Sequence, residues 1–278
     1  MNCPTLMVLA ELGRSNASLL AVAHDIAKRT HASIIGVARA RPIEAMIAPV
    51  GISAGDVVRE DIDRIEREAM AAEAEFRNRM KTRSQRLEWD MALTPHSLSR
   101  EIADLACAAD ILMVGLAQDR DDLSNSSRRP DAGDLIMRAG RPVLVVPPGI
   151  ERFTFGGALV AWKDCREARL ALAAALPLLR LMNRVVVAEI TDEASPEDAE
   201  ARLRRITGWL ARQGIEAVPH IASPLGQDGD RLLELAEEKG AELIVAGAYG
   251  HSRASEWVLG GMTRTLLHRC NRCTLLSH

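Results

Sequence analysis

The stretch Ala241–Thr263, AELIVAGAYGHSRASEWVLGGMT, decides how the rest of the chain is read. It opens on a near-continuous apolar run that ends at Gly247, and such a run fits a strand covered on both faces. Gly250 follows, and after nine intervening residues the pair Gly260-Gly261 falls where the next helical pattern begins, with Thr263 just beyond. Glycines so placed serve one of two ends. They make tight turns, or they let backbone N–H groups close around an anion at a helix start.

Working outward, the second half of the chain alternates short β-branched runs with longer helical patterns. GALVAW, RVVVAEI, IEAVPHI, AELIVAG and CTLLSH read as strands. REARLALAAALPLLR, PEDAEARLRRITGWLARQG, GDRLLELAEEKG and EWVLGGMTRTLLHRC read as helices, the third stopping at Gly240. Strands alternating with helices predict a parallel sheet covered on both sides.

The first half repeats the series. TLMVLAEL matches GALVAWK, ASIIGVA matches RVVVAEI, and DILMVG matches ELIVAG. A repeat of this length is a duplicated α/β domain, with PPGIERF as the linker. The first copy carries an insert around RPIEAMIAPVGISAGD, a loop or lid leading into a long charged helix from about Asp56 to Arg83. The last strands, RPVLVVP and CTLLSH, are expected to pair and so cover a free edge.

The duplication is an internal control for the glycines. In the first copy Gln118 stands for Gly250, and Arg128 and Arg129 stand for Gly260 and Gly261. The fold therefore does not demand glycine there, which favours a ligand role in the second copy. Ligands of open parallel sheets bind beyond the carboxyl ends of the strands. After the first strand of the second copy comes Lys163, able to reach a phosphate or to lie solvated. Its counterpart is Glu11, an acid unsuited to phosphate.

Gly247-x2-Gly250-x9-Gly260 followed by a small residue resembles the nucleotide-binding signature of the universal stress protein family. AGRPVLVVPPG and VAWKDCREA extend the resemblance over nearly the whole chain. It implies a tandem member with two doubly wound, Rossmann-like parallel-sheet domains related by a pseudo-twofold. Residues 1–149 would be the N-terminal domain with a degenerate nucleotide loop, and residues 150–278 the C-terminal domain with an intact one. The function implied is stress-response regulation through an adenine nucleotide (ATP, or AMP or ADP), with Mg2+ as its accompanying ion. By the same resemblance Ala246 and Ile190 line an adenine pocket. Gly247, Gly250, Gly260, Gly261, Met262 and Thr263 hold phosphates and ribose. Ala161, Lys163 and His251 complete the candidate set. Two departures stand out. The family's usual Gly-Ser or Gly-Thr is Gly260-Gly261 here, and its Asp after the first strand aligns with Lys163, with Asp164 next.

Composition narrows the classes. The formal net charge of −3 gives no general attraction to nucleic acid or anionic membrane, and aromatics at 3% are too few for a base-stacking surface. Without an 18-residue apolar run or a leader-like start, the chain is expected in the cytoplasm, its partners being the nucleotide, an unidentified protein and a second tandem chain. His268-x-Cys270-x2-Cys273-x4-His278 offers zinc-type ligands, but the two thiols are read as small buried groups and no metal is expected. No Gly-x-Ser-x-Gly, Gly-x4-Gly-Lys-[Ser/Thr] or His-Glu-x-x-His pattern occurs, so no catalytic residue is assigned. The alternatives are a slow ATPase or adenylyl-transfer enzyme on the same fold, or a nucleotide-free scaffold.

Overall fold

A computed structural model describes residues 5–43, 54–81, 86–116, 128–191, 196–249 and 261–278. The chain divides into two compact units, Met1–Arg141 with Gly149–Arg152, and Pro142–Pro148 with Phe153–His278. The insert expected after Arg41 lies largely outside the described residues.

The first unit runs β1 (Thr5–Leu9), α1 (Ala17–Thr30), β2 (Ser33–Ala40), α2 (Ala54–Arg79), β3 (Leu87–Leu93), α3 (Leu98–Leu105), β4 (Ile111–Gly115) and α4 (Ala132–Arg138). Its strands lie in the order β3-β2-β1-β4, all parallel. β4 is apolar and buried almost throughout, because helices cover both faces of such a sheet. β3 alternates between half-buried and exposed positions, as suits an outer strand.

The second unit contains β5 (Val143–Val146), β6 (Ala158–Ala161), α5 (Arg166–Leu179), β7 (Val185–Ile190), α6 (Pro196–Arg212), β8 (Ala217–Ala222), α7 (Asp228–Glu238), β9 (Leu243–Gly247), α8 (Gly261–Arg269) and β10 (Cys273–Ser277). Its order is β5-β10-β9-β6-β7-β8. Every pairing is parallel except that of β5 with β10, where Val145 faces Thr274 and Leu144 faces Leu275. The two strands expected to pair therefore do so, and β5 belongs to the second unit's sheet. β8 carries Pro219, which donates nothing to a ladder and is tolerated at the margin. Gly240 stops α7 with φ 58°, a left-handed conformation that glycine adopts without strain. Among the described residues no helix is long and apolar enough to cross a membrane.

Strand register fixes the correspondence between the copies. Leu9 faces Val37 and Val114, and Ala161 faces Ala188 and Ala246. Glu11 thus corresponds to Lys163, Gly115 to Gly247, and Arg39 to Ile190. In the second unit the chain leaves β6 toward β7 and β8, then returns to β9 on the other flank of β6. Connections that diverge in this way open a crevice at the carboxyl ends of the two middle strands.

Candidate functional site

A cavity of about 630 Å³ lies at that crevice. β6 and the residues after it supply Ala161, Trp162 and Lys163, and β7 supplies Ala188 and Ile190, two residues apart and so on one face. β9 supplies Ala246 and Gly247, and α8 supplies Gly261, Met262 and Thr263. Ala161, Lys163, Ile190, Ala246, Gly247, Gly261, Met262 and Thr263, all singled out in the sequence, are thus brought together. Gly250, His251 and Gly260 lie outside the described residues.

The two described glycines of the loop differ in what surrounds them. A Cβ on Gly247 would sit 2.5 Å from the Ala168 amide nitrogen and 2.7 Å from the Glu167 carbonyl carbon. Glycine is required there so that the first turn of α5 can pack against the end of β9. A Cβ on Gly261 would meet no described atom within 4 Å. Open space at a helix start is what an incoming anion needs, since the first N–H groups of a helix have no partner within it. Thr263 is buried, and its Oγ1 accepts the Tyr249 N–H at 3.3 Å, tying the turn after β9 to α8. Tyr249 has φ 60°, uncommon for a residue with a side chain, so the backbone turns sharply just before Gly250. Its ring packs edge-on against His278, whose Nδ1 lies 3.1 Å from the Ala248 carbonyl oxygen.

Lys163 is exposed at the cavity, whereas the neighbouring Asp164 is drawn to Arg169, which donates from Nε at 3.0 Å. The lysine, not the aspartate, is therefore the charged group after β6 that faces the crevice. The helix starts of α5 and α7 also contribute, through Cys165 and Ala168 and through Gln227, Asp228 and Gly229. Neither Cys165 nor Gln227 caps its helix with a side-chain hydrogen bond. Sequence reasoning did not single out the turn Gly226–Gly229 as part of a site. Its signal was a second pair of close glycines, Gly226 and Gly229, a few residues after β8.

Residues 158–276 match the model of the universal stress protein family. This segment is a universal stress protein domain. Among solved structures, a universal stress protein from Archaeoglobus fulgidus DSM 4304 is similar over 100% of this chain and 99% of its own length, with 16% identity and a TM-score of 0.73. A functionally unknown protein from Pseudomonas aeruginosa PAO1 covers 99% of this chain and 92% of its own, with 16% identity and a TM-score of 0.59. At such identity the likeness is one of fold, and it extends to both units. No curated protein matches the chain.

The positions of the first unit that correspond to the cavity of the universal stress protein domain carry an ion-pair network. Arg129, the counterpart of Gly261, pairs with Glu11, the counterpart of Lys163. Arg128, the counterpart of Gly260, pairs with Asp61 at 2.7 Å and with Glu68, both on α2. Asp61 is buried and also accepts the Ile43 N–H at 2.9 Å and Arg64 at 2.5 Å. Burial alone would raise its carboxyl pKa, but the Ile43 hydrogen bond, Arg64 and Arg128 outweigh burial and hold it below the ordinary value. Arg39, the counterpart of Ile190, is buried and donates to Asp90 at 2.6 Å.

Cys270 and Cys273 behave as packing groups, whereas Cys165 lines the cavity. Cys273 is fully buried on β10, and burial pushes its thiol far above the ordinary range, away from the thiolate that binds metal or attacks disulfides. Cys270 is buried as well, with its sulfur 3.4 Å from the Arg272 carbonyl oxygen. Among the described residues no three His, Cys, Asp or Glu side chains are grouped to hold a metal ion.

Proposed function

We propose that this chain is a stress-response regulatory protein that binds one adenine nucleotide, ATP or AMP, in its second unit. The observation that carries the reading is the meeting of Lys163, the open start of α8 at Gly261 and the apolar pair Ala188 and Ile190 around one cavity of about 630 Å³. That volume lies within the range of small-molecule sites, and the lining has the expected composition, mostly apolar with a few polar groups. In this reading the base lies against Ala188, Ile190 and Ala246. The phosphates lie toward Lys163 and the N–H groups at the start of α8. Thr263 uses its acceptor on Tyr249 and keeps its proton to donate. The residues fit a nucleotide, and a bound Mg2+ would take its ligands from phosphate and water, because among the described residues the cavity offers a single carboxylate, Asp228.

The first unit is read as non-binding. Its corresponding positions hold arginines whose charge is already met by Glu11, Asp61 and Glu68. Native mass spectrometry of the intact chain, purified without added nucleotide and then with ATP, tests the proposal. One adenine nucleotide per chain is expected. A chain that takes up none under either condition contradicts it.

A further inference from the structure

Only two charged side chains line the cavity among the described residues, Lys163 and Asp228. Other acids nearby are engaged: Asp164 by Arg169, Asp230 by Arg269, and Glu189 by Arg202. Asp228 is exposed and makes no ion pair with a described residue. Its place is set by packing. Gly226 has φ 70° and turns the chain after β8 into α7. A Cβ on Gly229 would lie 2.6 Å from Thr265 Oγ1 and 2.7 Å from Thr265 Cβ, so α7 approaches α8 at its first turn more closely than any larger residue permits. That contact holds the Asp228 carboxylate at the rim of the same cavity that α8 opens onto. A carboxylate there repels phosphate, and it accepts hydrogen bonds without donating any.

Resting on the nucleotide reading above, we infer that Asp228 is the specificity-determining residue for the sugar, accepting hydrogen bonds from the ribose hydroxyls. The donor pattern of the ligand favours the sugar over the base. An adenine edge sets its amino donor beside an acceptor nitrogen, a pattern matched by an amide and half-repelled by a carboxylate. A vicinal diol presents two donors side by side, and an acid that accepts from a ribose 2′-hydroxyl is an established solution on α/β folds. Division of labour follows: Lys163 and the α8 start take the anionic end, the β7 face takes the base, and Asp228 selects ribose.

The test is calorimetric titration of the full chain and of Asp228→Asn and Asp228→Ser with ATP, 2′-deoxy-ATP and GTP, with a melting curve for each protein. The serine variant keeps a residue suited to a helix start. The wild type is expected to prefer ATP over 2′-deoxy-ATP by about tenfold, and both variants to lose at least about that factor for ATP and clearly less for 2′-deoxy-ATP, which keeps one of the two hydroxyls. Variants that weaken both nucleotides equally, or neither, overturn the inference and leave the nucleotide reading intact. A variant that changes the ATP-to-GTP ratio but not the ribose preference assigns Asp228 to the base and overturns it as well. A wild-type chain that binds none of the three removes the nucleotide reading, and the inference with it.

Discussion

The two copies place opposite contents at the same strand ends. In the second unit Lys163 follows β6, Gly261 opens α8 with no described atom within 4 Å of a Cβ, and a cavity results. In the first unit Glu11 follows β1, and Arg128 and Arg129 stand where the glycines would be, each paired with a carboxylate. A parallel sheet leaves a crevice at this point whatever fills it. A chain that keeps two copies can leave one crevice open for a ligand and satisfy the other with its own charges. In the proposed reading glycine at the helix start serves the ligand, whereas Gly247 is required by the packing of α5.

The largest expected effect breaks the closed side of this comparison. Arg128→Ala should cost the first unit about 3 kcal/mol or more, because it takes a partner from the buried Asp61. Hydrogen exchange at β1 and β4 should report the loss, with β6 and β9 unaffected. The contribution of Asp61 also has a defined pH dependence. Its folded pKa is depressed, so the stabilisation is present above the unfolded carboxylate value of about 4 and is lost as pH falls through the lower folded value. Asp61→Asn should therefore differ from wild type in denaturant midpoint at neutral pH, and the difference should shrink in acid. A difference independent of pH would mean that Asp61 matters through shape alone.

Next in size is the packing glycine. Gly247→Ala forces a Cβ against the backbone of α5 and should destabilise the second unit by about 2 kcal/mol. The smallest effect sharpens the contrast. Among the described residues a Cβ at Gly115 meets only the end of the Glu11 side chain, 3.1 Å away, so Gly115→Ala should cost about 0.5 kcal/mol or less. Equal losses at the two positions, measured by urea unfolding, would show that the copies do not differ in helix approach.

The strand and helix series was legible in the sequence because hydrophobic period and Gly punctuation are local signals. Gly247 and Gly261 to Thr263, which line the cavity, were picked out by the same local signals, whereas residues 250–260 between them lie outside the described residues. The turn Gly226–Gly229 was not, because only the contact of Gly229 with Thr265 brings it to the cavity. Likewise no local pattern links Arg128 to Asp61 and Glu68, which lie on a helix about sixty residues earlier. The cause of glycine at 247 is also tertiary, since the atoms that exclude a side chain belong to α5. Duplication supplied what local pattern could not, by showing which glycines the fold can do without.

We propose that the second unit holds the nucleotide at the open start of α8. Gly261→Glu is the sharpest probe, since a Cβ there meets no described atom within 4 Å and the added carboxylate sets a negative charge where the phosphates are proposed to lie. Calorimetric titration with ATP should give one site per chain for the wild type. The variant should bind at least tenfold more weakly, a loss of about 1.4 kcal/mol or more, with an unchanged melting curve. Undiminished affinity in the folded variant, or two equal sites in the wild type, would contradict the account.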